Sequence, residues 1–136
     1  MSQRLKNKSA VVTGGGSGGI GTAIALALAG EGASVVVNDI GLDPEGNYIA
    51  DKVVEEIANA GGTAVANHDS VASLQGGKSI IETAVRSFGR IDILVNCAAN
   101  FKRVPVVEMT DDDWNSIMGV HLNGHFNCCK AAVVEM

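Results

Sequence analysis

Residues Ser9 to Gly21, SAVVTGGGSGGIG, form a short apolar run that breaks into a stretch with six glycines, near the end of which a helical pattern begins at Ile20. The stretch reads as a strand, a phosphate-cradling turn and the start of a helix. A backbone that must turn sharply, approach a pyrophosphate and seat a helix close to its strand has no room for side chains, so glycine is required. The helix then presents unpaired N–H groups and the positive end of its dipole to the anion. A glycine string alone would also suit a flexible loop, so its neighbours decide. Ala10, Val11 and Val12 suit a buried parallel strand, and Ile20, Ile24, Ala27 and Leu28 follow at helical spacing. Gly15, Ser17, Gly19, Ile20 and Gly21 are the expected contacts on the phosphate side.

Outward from the turn, a second apolar run, Ala33 to Val37, ends in Asn38 and Asp39. An acid about 20 residues beyond the glycines can accept both hydroxyls of an adenosine ribose, and its charge repels a 2′-phosphate. The expected cofactor is NAD. After the loop IGLDPEGN, Ile49, Val53, Ile57 and Ala60 mark a second helix, ended by Gly61 and Gly62. Thr63 to Asn67 is a third strand, closing on His68 and Asp69. A third helical pattern runs from Val71, with Leu74, Ile81, Ala84, Val85 and Phe88 on one face and Gly89 as its stop. Gly76 and Gly77 inside it each cost about 1 kcal/mol relative to alanine.

Ile91 to Val95 reads as a fourth strand, buried on both faces, with Asn96, Cys97, Ala98 and Ala99 at its C-terminal end, where ligands sit in an open parallel sheet. Thr110 and Asp113 form a capping box for a last helix expected to run to Met136, with Trp114, Ile117, His121, His125, Cys128 and Ala132 as its stripe. Trp114 is expected to anchor the core or a helix contact. Alternating strands and helices with right-handed crossovers give a Rossmann-like, doubly wound α/β sheet of order 3-2-1-4 in one domain, residues 1–136. The chain stops where a fifth strand should follow, which leaves strand four as an exposed edge.

Composition narrows the function. With 46% hydrophobic and 18% charged residues the chain can pack a core, and a net charge of −5 without a Lys/Arg cluster argues against nucleic-acid or membrane-surface binding. No apolar run reaches the ~18 residues of a membrane span, and the N-terminus lacks an apolar leader, so the cytoplasm is the expected location. Cys97, Cys128 and Cys129 have no disulfide-framework spacing. His121 and His125 with Cys128 have a spacing that zinc accepts, but no HExxH glutamate accompanies them; no metal is expected, and the histidines read as packed and hydrogen-bonded.

These residues resemble the short-chain dehydrogenase/reductase family over essentially the whole chain. TGGGSGGIG is similar to the family's TGxxxGxG turn, Asp39 to its NAD-selecting acid, Asp69 (with Ser70 beside it) to its adenine-contacting acid, and Asn96 to Ala99 to its NNAG motif, whose Asn96 and Ala98 would be cofactor contacts. VVVND, ADKVVEEI, AVANHDSV, FGRID and VHLNGHF most resemble the branch found in peroxisomal multifunctional enzymes and their bacterial relatives. That resemblance implies hydride transfer between NAD and an alcohol or ketone, such as a (3R)-hydroxyacyl thioester or a hydroxysteroid. It also implies dimerisation through the helix over residues 111–136, with a completing partner chain as the alternative.

Four departures stand out. The turn has one glycine too many: Gly15, Gly19 and Gly21 keep the GxxxGxG spacing only if Gly14 replaces the threonine, whereas anchoring on Thr13 and Gly14 leaves an inserted residue. NNAG appears as NCAA. His121 stands where the family has a catalytic asparagine. The family's Ser and Tyr-x-x-x-Lys centre lies beyond strand five, after this chain ends, so the chain alone is expected to be inactive. A literal Tyr-x-x-x-Lys, Tyr48 to Lys52, lies on the adenosine side, far from hydride chemistry, and reads as an aromatic helix start with a solvated lysine. The competing readings are a non-catalytic NAD-binding module, whether truncated product or split-protein subunit, and a scaffold whose turn binds nothing.

Overall fold

The computed structural model describes residues 3–136. Four parallel strands, β1 (Ser9–Thr13), β2 (Ser34–Asn38), β3 (Thr63–Asn67) and β4 (Ile93–Asn96), lie in the order 3-2-1-4. Helices α1 (Ile20–Gly30) and α2 (Ile49–Asn59) cover one face; α3 (Leu74–Phe88) and the terminal helical run cover the other. Alternation along each strand feeds two cores. Ala10, Val12, Val35 and Val37 meet α1 and α2, while Val11 and Val36 meet Ile80, Ile81 and Ala84 of α3 and Cys128 and Ala132 beyond.

The sheet matches the expected Rossmann-like order, but several helix and strand surfaces differ. α1 buries Gly21, Thr22, Ala25 and Ala29, while Ile20 is 77% exposed and Ala27 faces water. Small residues win there because they let α1 approach its strands closely. α3 begins at Leu74 rather than Val71, with the Ser73 hydroxyl capping it by accepting from Gly76 N. β4 begins at Ile93, and its four residues are half-buried instead of buried, because an edge strand has one neighbour.

The last helix is not continuous. α4 (Asp111–Met118), with the expected Thr110–Asp113 capping box, passes through a π-helical turn over Gly119–Asn123 into α5 (Gly124–Glu135). A π turn inserts extra rotation, so one stripe cannot hold its phase across it. Cys128 and Ala132 are buried, but His121 and His125 are exposed and Trp114 is 57% exposed, so the tryptophan does not anchor this core.

The two glycines inside α3 have a packing cause. Gly77 is buried where α3 crosses α5, and a Cβ there would stand 2.8 Å from the backbone carbon of Asn127. Asn127 is itself buried, its Nδ2 donating to Val71 O at 2.8 Å. Substituting Gly77→Ala should therefore destabilise despite the better helix propensity: overpacking costs about 1–3 kcal/mol against about 1 kcal/mol gained. Gly30→Ala in α1, where a Cβ meets nothing within 4 Å, should instead be neutral or stabilising by up to about 1 kcal/mol. Urea midpoints of the two variants should move apart; a Gly77→Ala midpoint at or above wild type would refute the close-approach account.

Candidate functional site

Each strand exchanges apolar residues for a polar one at its C-terminal end. The register aligns Asn67, Asn38, Thr13 and Asn96 in one row across the sheet. Thr13 Oγ1 accepts from Cys97 N and Ala98 N, both at 3.1 Å, which fixes the chain leaving β4 against the end of β1. Asn38 Nδ2 donates to Asn67 Oδ1 and to Asp69 O, both at 2.9 Å. Asn67 Nδ2 in turn donates to Asp69 Oδ2 and Thr83 Oγ1, and Ser79 Oγ donates to Asp69 Oδ2 at 2.6 Å. Between the loops thus held lies a cleft of about 260 Å³, lined by Gly14, Ser17, Asp39, Asp69, Ser70, Ala98 and Asn100 among others.

The glycine turn forms its floor. Gly14 has φ +65°, and a Cβ on it would come within 2.8 Å of the Ala98 backbone, so the threonine–glycine pair that opens the turn is Thr13–Gly14. The additional residue is taken up in the arch that follows. Thr22 Oγ1 ties that arch, donating to Gly15 O and accepting from Gly18 N. α1 has no side-chain cap and no acid in its first turn, unlike the capped α3 and α4. Its first N–H groups thus fit an anionic group.

Asp39 accepts from Gly16 N through Oδ2 and from Gly41 N through Oδ1, both at 3.0 Å. A carboxylate offers about four acceptor sites, so each oxygen keeps capacity for a ribose hydroxyl. The turn, the uncapped helix and Asp39 together fit a dinucleotide.

Of the residues expected from sequence, Ser17, Asp39, Asp69, Ser70 and Ala98 line the cleft. Gly19 and Ile20 are exposed at the start of α1, Gly15 is buried beneath the arch, and Gly21 packs against the Gly14 carbonyl. Asn96 is not brought to the cleft: its Nδ2 turns towards Cys129 Sγ, 3.5 Å away. Thr13, Asn38, Asn67 and Asn100 were missed as organising residues. For the first three the available signal was the recurrence of Asn or Thr at the end of every apolar run; Asn100, in the loop after β4, carried no such signal.

Tyr48 and Lys52 stand apart from the cleft. Tyr48 stacks on His68 with ring centroids 3.7 Å apart, and Lys52 pairs with Asp43, whose carboxyl the ammonium holds well below its ordinary range. His121 holds the loop after β4. Its Nε2 lies 2.7 Å from Asn100 O and 3.2 Å from Asn100 N, donating to the one or accepting from the other according to tautomer. With His121 committed there and Cys128 buried between α3 and α5, no three His, Cys, Asp or Glu side chains converge among the described residues.

The short chain dehydrogenase family model matches residues 8–136. The chain belongs to the short chain dehydrogenase family. It is 48% identical to peroxisomal multifunctional enzyme A of Dictyostelium discoideum over 97% of this chain and 30% of that protein. It is 45% identical to peroxisomal multifunctional enzyme type 2 of Mus musculus over 95% of this chain and 18% of the enzyme. It is similar also to the putative short-chain type dehydrogenase/reductase Rv0148 of Mycobacterium tuberculosis, 43% identical over 46% of that protein. A crystal structure of a short chain dehydrogenase from Mycobacterium avium superposes with a TM-score of 0.90 at 40% identity, covering 97% of this chain and 48% of the other. The chain thus spans about half the length of its bacterial relatives and less of the peroxisomal ones.

In this short chain dehydrogenase chain the three thiols occupy distinct settings, which makes them reporters on the cleft. Cys129 is exposed, Cys97 is half-buried in the cleft wall, and burial pushes the Cys128 thiol up to about 11. A thiolate is the reactive form, so Cys128 should resist iodoacetamide in the folded protein while Cys129 reacts first. A nicotinamide nucleotide bound in this cleft should slow Cys97 alone, read by peptide mass spectrometry. Unchanged Cys97 labelling would place the nucleotide elsewhere.

Proposed function

We propose that these residues form the cofactor-binding half of an NAD-dependent oxidoreductase acting on a secondary alcohol or ketone, such as a (3R)-hydroxyacyl thioester or hydroxysteroid. The observation that carries the reading is the uncapped α1 N-terminus beside Asp39, whose two oxygens retain acceptor capacity at the cleft. The turn and α1 would hold the pyrophosphate, Asp39 the adenosine ribose, and Asp69 the adenine side. NAD supplies hydride acceptance when bound. This chain's residues orient it and keep that end of the cleft ordered, through Thr13 at the β4 loop and Asn38 at the β3 loop.

The chain's one tyrosine, Tyr48, is stacked on His68 outside the cleft. General acid–base groups typically contribute 10²–10⁴-fold and oxyanion donors a similar factor, so these residues alone should bind NAD without turning substrate over. Calorimetric titration should show NAD favoured over NADP. Asp39→Ala should weaken NAD by about 10- to 100-fold, the worth of a charged hydrogen bond. The same preparation should form no NADH with secondary alcohols or (3R)-hydroxyacyl thioesters. Equal affinity for both cofactors in wild type would sink the Asp39 assignment, and turnover lost on Tyr48→Phe would restore the Tyr-x-x-x-Lys reading.

We also propose that the run over residues 111–136 meets a second copy or a completing chain. Trp114, Leu122, Phe126 and Val133 each expose more than half of their surface along it, apolar area that water does not favour. Light scattering should show a dimer or larger species. A monomer at high concentration would overturn this.

A further inference from the structure

The segment between β2 and α2 has little core of its own. Ile40 and Leu42 are 60% and 57% exposed. Among the described residues, every hydrogen bond or ion pair of residues 40–48 stays within the segment or goes to Asp39 or α2. Lys52 of α2 pairs with Asp43, and Leu42 bridges to Tyr48. One contact carries the segment across to the next loop: the Tyr48 ring stacks on His68, with centroids 3.7 Å apart and planes 15° from parallel. Asp51 Oδ1, in the first turn of α2, lies 2.7 Å from His68 Nε2 and joins the same ring. His68 is a firm support, because Asn67 before it is buried and Asp69 after it accepts from Asn67 Nδ2 and Ser79 Oγ.

That stack leads to Asp39 in two steps. Ile49, next to Tyr48, donates its N–H to Gly41 O, and Gly41 donates its own to Asp39 Oδ1, both at 3.0 Å. The three residues are in close contact: a Cβ on Gly41 would stand 2.5 Å from Ile49 Cδ1 and 3.2 Å from Asp39 Oδ1. The Asp39 main chain is fixed separately, its N–H donating to Asn67 O at 3.1 Å. What the segment decides, opposite Gly16 N at the other oxygen, is therefore where the carboxylate points. Hydrogen bonds weaken steeply with misalignment, so that direction governs what the carboxylate can accept.

We propose that Tyr48 and His68 are a positioning pair: their stack holds the segment after β2 against the loop after β3 and, through Ile49 and Gly41, aims Asp39 at the ribose. This rests on the cofactor reading above. Neither ring lines the cleft, so the pair acts only through Asp39. The literal Tyr-x-x-x-Lys thus has a role without chemistry, since Tyr48 ties the segment to the β3 side and Lys52 ties it to α2.

The test is NMR titration of the full chain with NAD in a double-mutant cycle. Tyr48→Ala should weaken NAD about three- to tenfold, the worth of one aromatic pair, and shift the Gly41 amide resonance. Tyr48→Phe keeps the ring and should stay within about 1.5-fold of wild type. In an Asp39→Ala background, where no carboxylate is left to aim, Tyr48→Ala should change affinity by less than about 1.5-fold. Val11 and Val36 amide shifts that match wild type show that a variant is folded. Should Tyr48→Ala fail that check, His68→Ala removes the same stack from the other side and carries the same expectations, with His68→Phe as its ring-keeping control. Unchanged affinity in the alanine variant, an equal loss in the phenylalanine variant, or an equal loss in the Asp39→Ala background overturns the inference and leaves the cofactor reading standing. Failure of wild type to bind NAD removes that reading, and this inference with it.

Discussion

The hydroxyl of Thr13, buried to 1% exposure and accepting two backbone N–H groups from the chain that leaves β4, is the contact on which the cleft depends. At the end of a parallel sheet the ladder runs out, and each departing loop must satisfy its own backbone groups. Side chains do that here. Thr13 holds the β4 loop, and Asn38, 2% exposed, holds the β3 loop through Asn67 and Asp69. Leaving a buried N–H unpaired costs about 1–3 kcal/mol, so a row of such residues fixes the directions in which the loops part and hence the width of the opening between them. The sheet's cohesion and the cleft's geometry therefore rest on the same polar row.

Close approach supplies the second half of that order. α1 lies on its strands through Gly21, Thr22, Ala25 and Ala29, and α3 meets α5 at Gly77, which brings the helix backbones near enough for short side chains to bridge them. Thr22 illustrates the gain: its hydroxyl reaches both Gly15 O and Gly18 N, so one small residue packs the helix and shapes the arch ahead of it. A larger residue in that place would fill space and tie nothing.

Strand order and the five-residue strands β1 to β3 were legible because alternation of buried runs with helical patterns is set locally and repeated. The position of Asp39 just past β2 and beside the glycine turn was legible because the second apolar run ends there. What sequence did not reveal depended on neighbours distant in the chain. The face of α1 follows from contact with two strands, so Ile20, the most hydrophobic residue at its start, is left outside. The phase of the last helix is broken by the π turn at Gly119–Asn123, and no periodicity in the residues announces an inserted rotation. Asn96 belonged to a recognisable motif and yet points to Cys129, because membership in a motif fixes the backbone path more firmly than the destination of each side chain.

The described residues are unevenly finished along the cleft, and that bears on how such a fold divides its work. On the β2 and β3 side every polar group that bounds the opening has internal support: Asp39 from two glycine N–H groups, Asp69 from Asn67 and Ser79. Beyond β4, Phe101, Val106 and Val107 are 73%, 82% and 89% exposed, and the α4–α5 run adds Leu122 and Phe126. Charged and hydrogen-bonded groups can be organised within the present fold, since their partners lie either two residues away, as Gly41 and Asn67 do, or on an adjacent turn or helix, as Gly16 and Ser79 do. Apolar side chains gain stability only by leaving water against another surface. The side that is already ordered is the side proposed above for the adenosine, the part of the cofactor that every NAD enzyme binds alike. The side that still meets water is where substrate chemistry would be assembled, so in this fold recognition of the shared part of the cofactor does not have to wait for the surfaces that define the reaction.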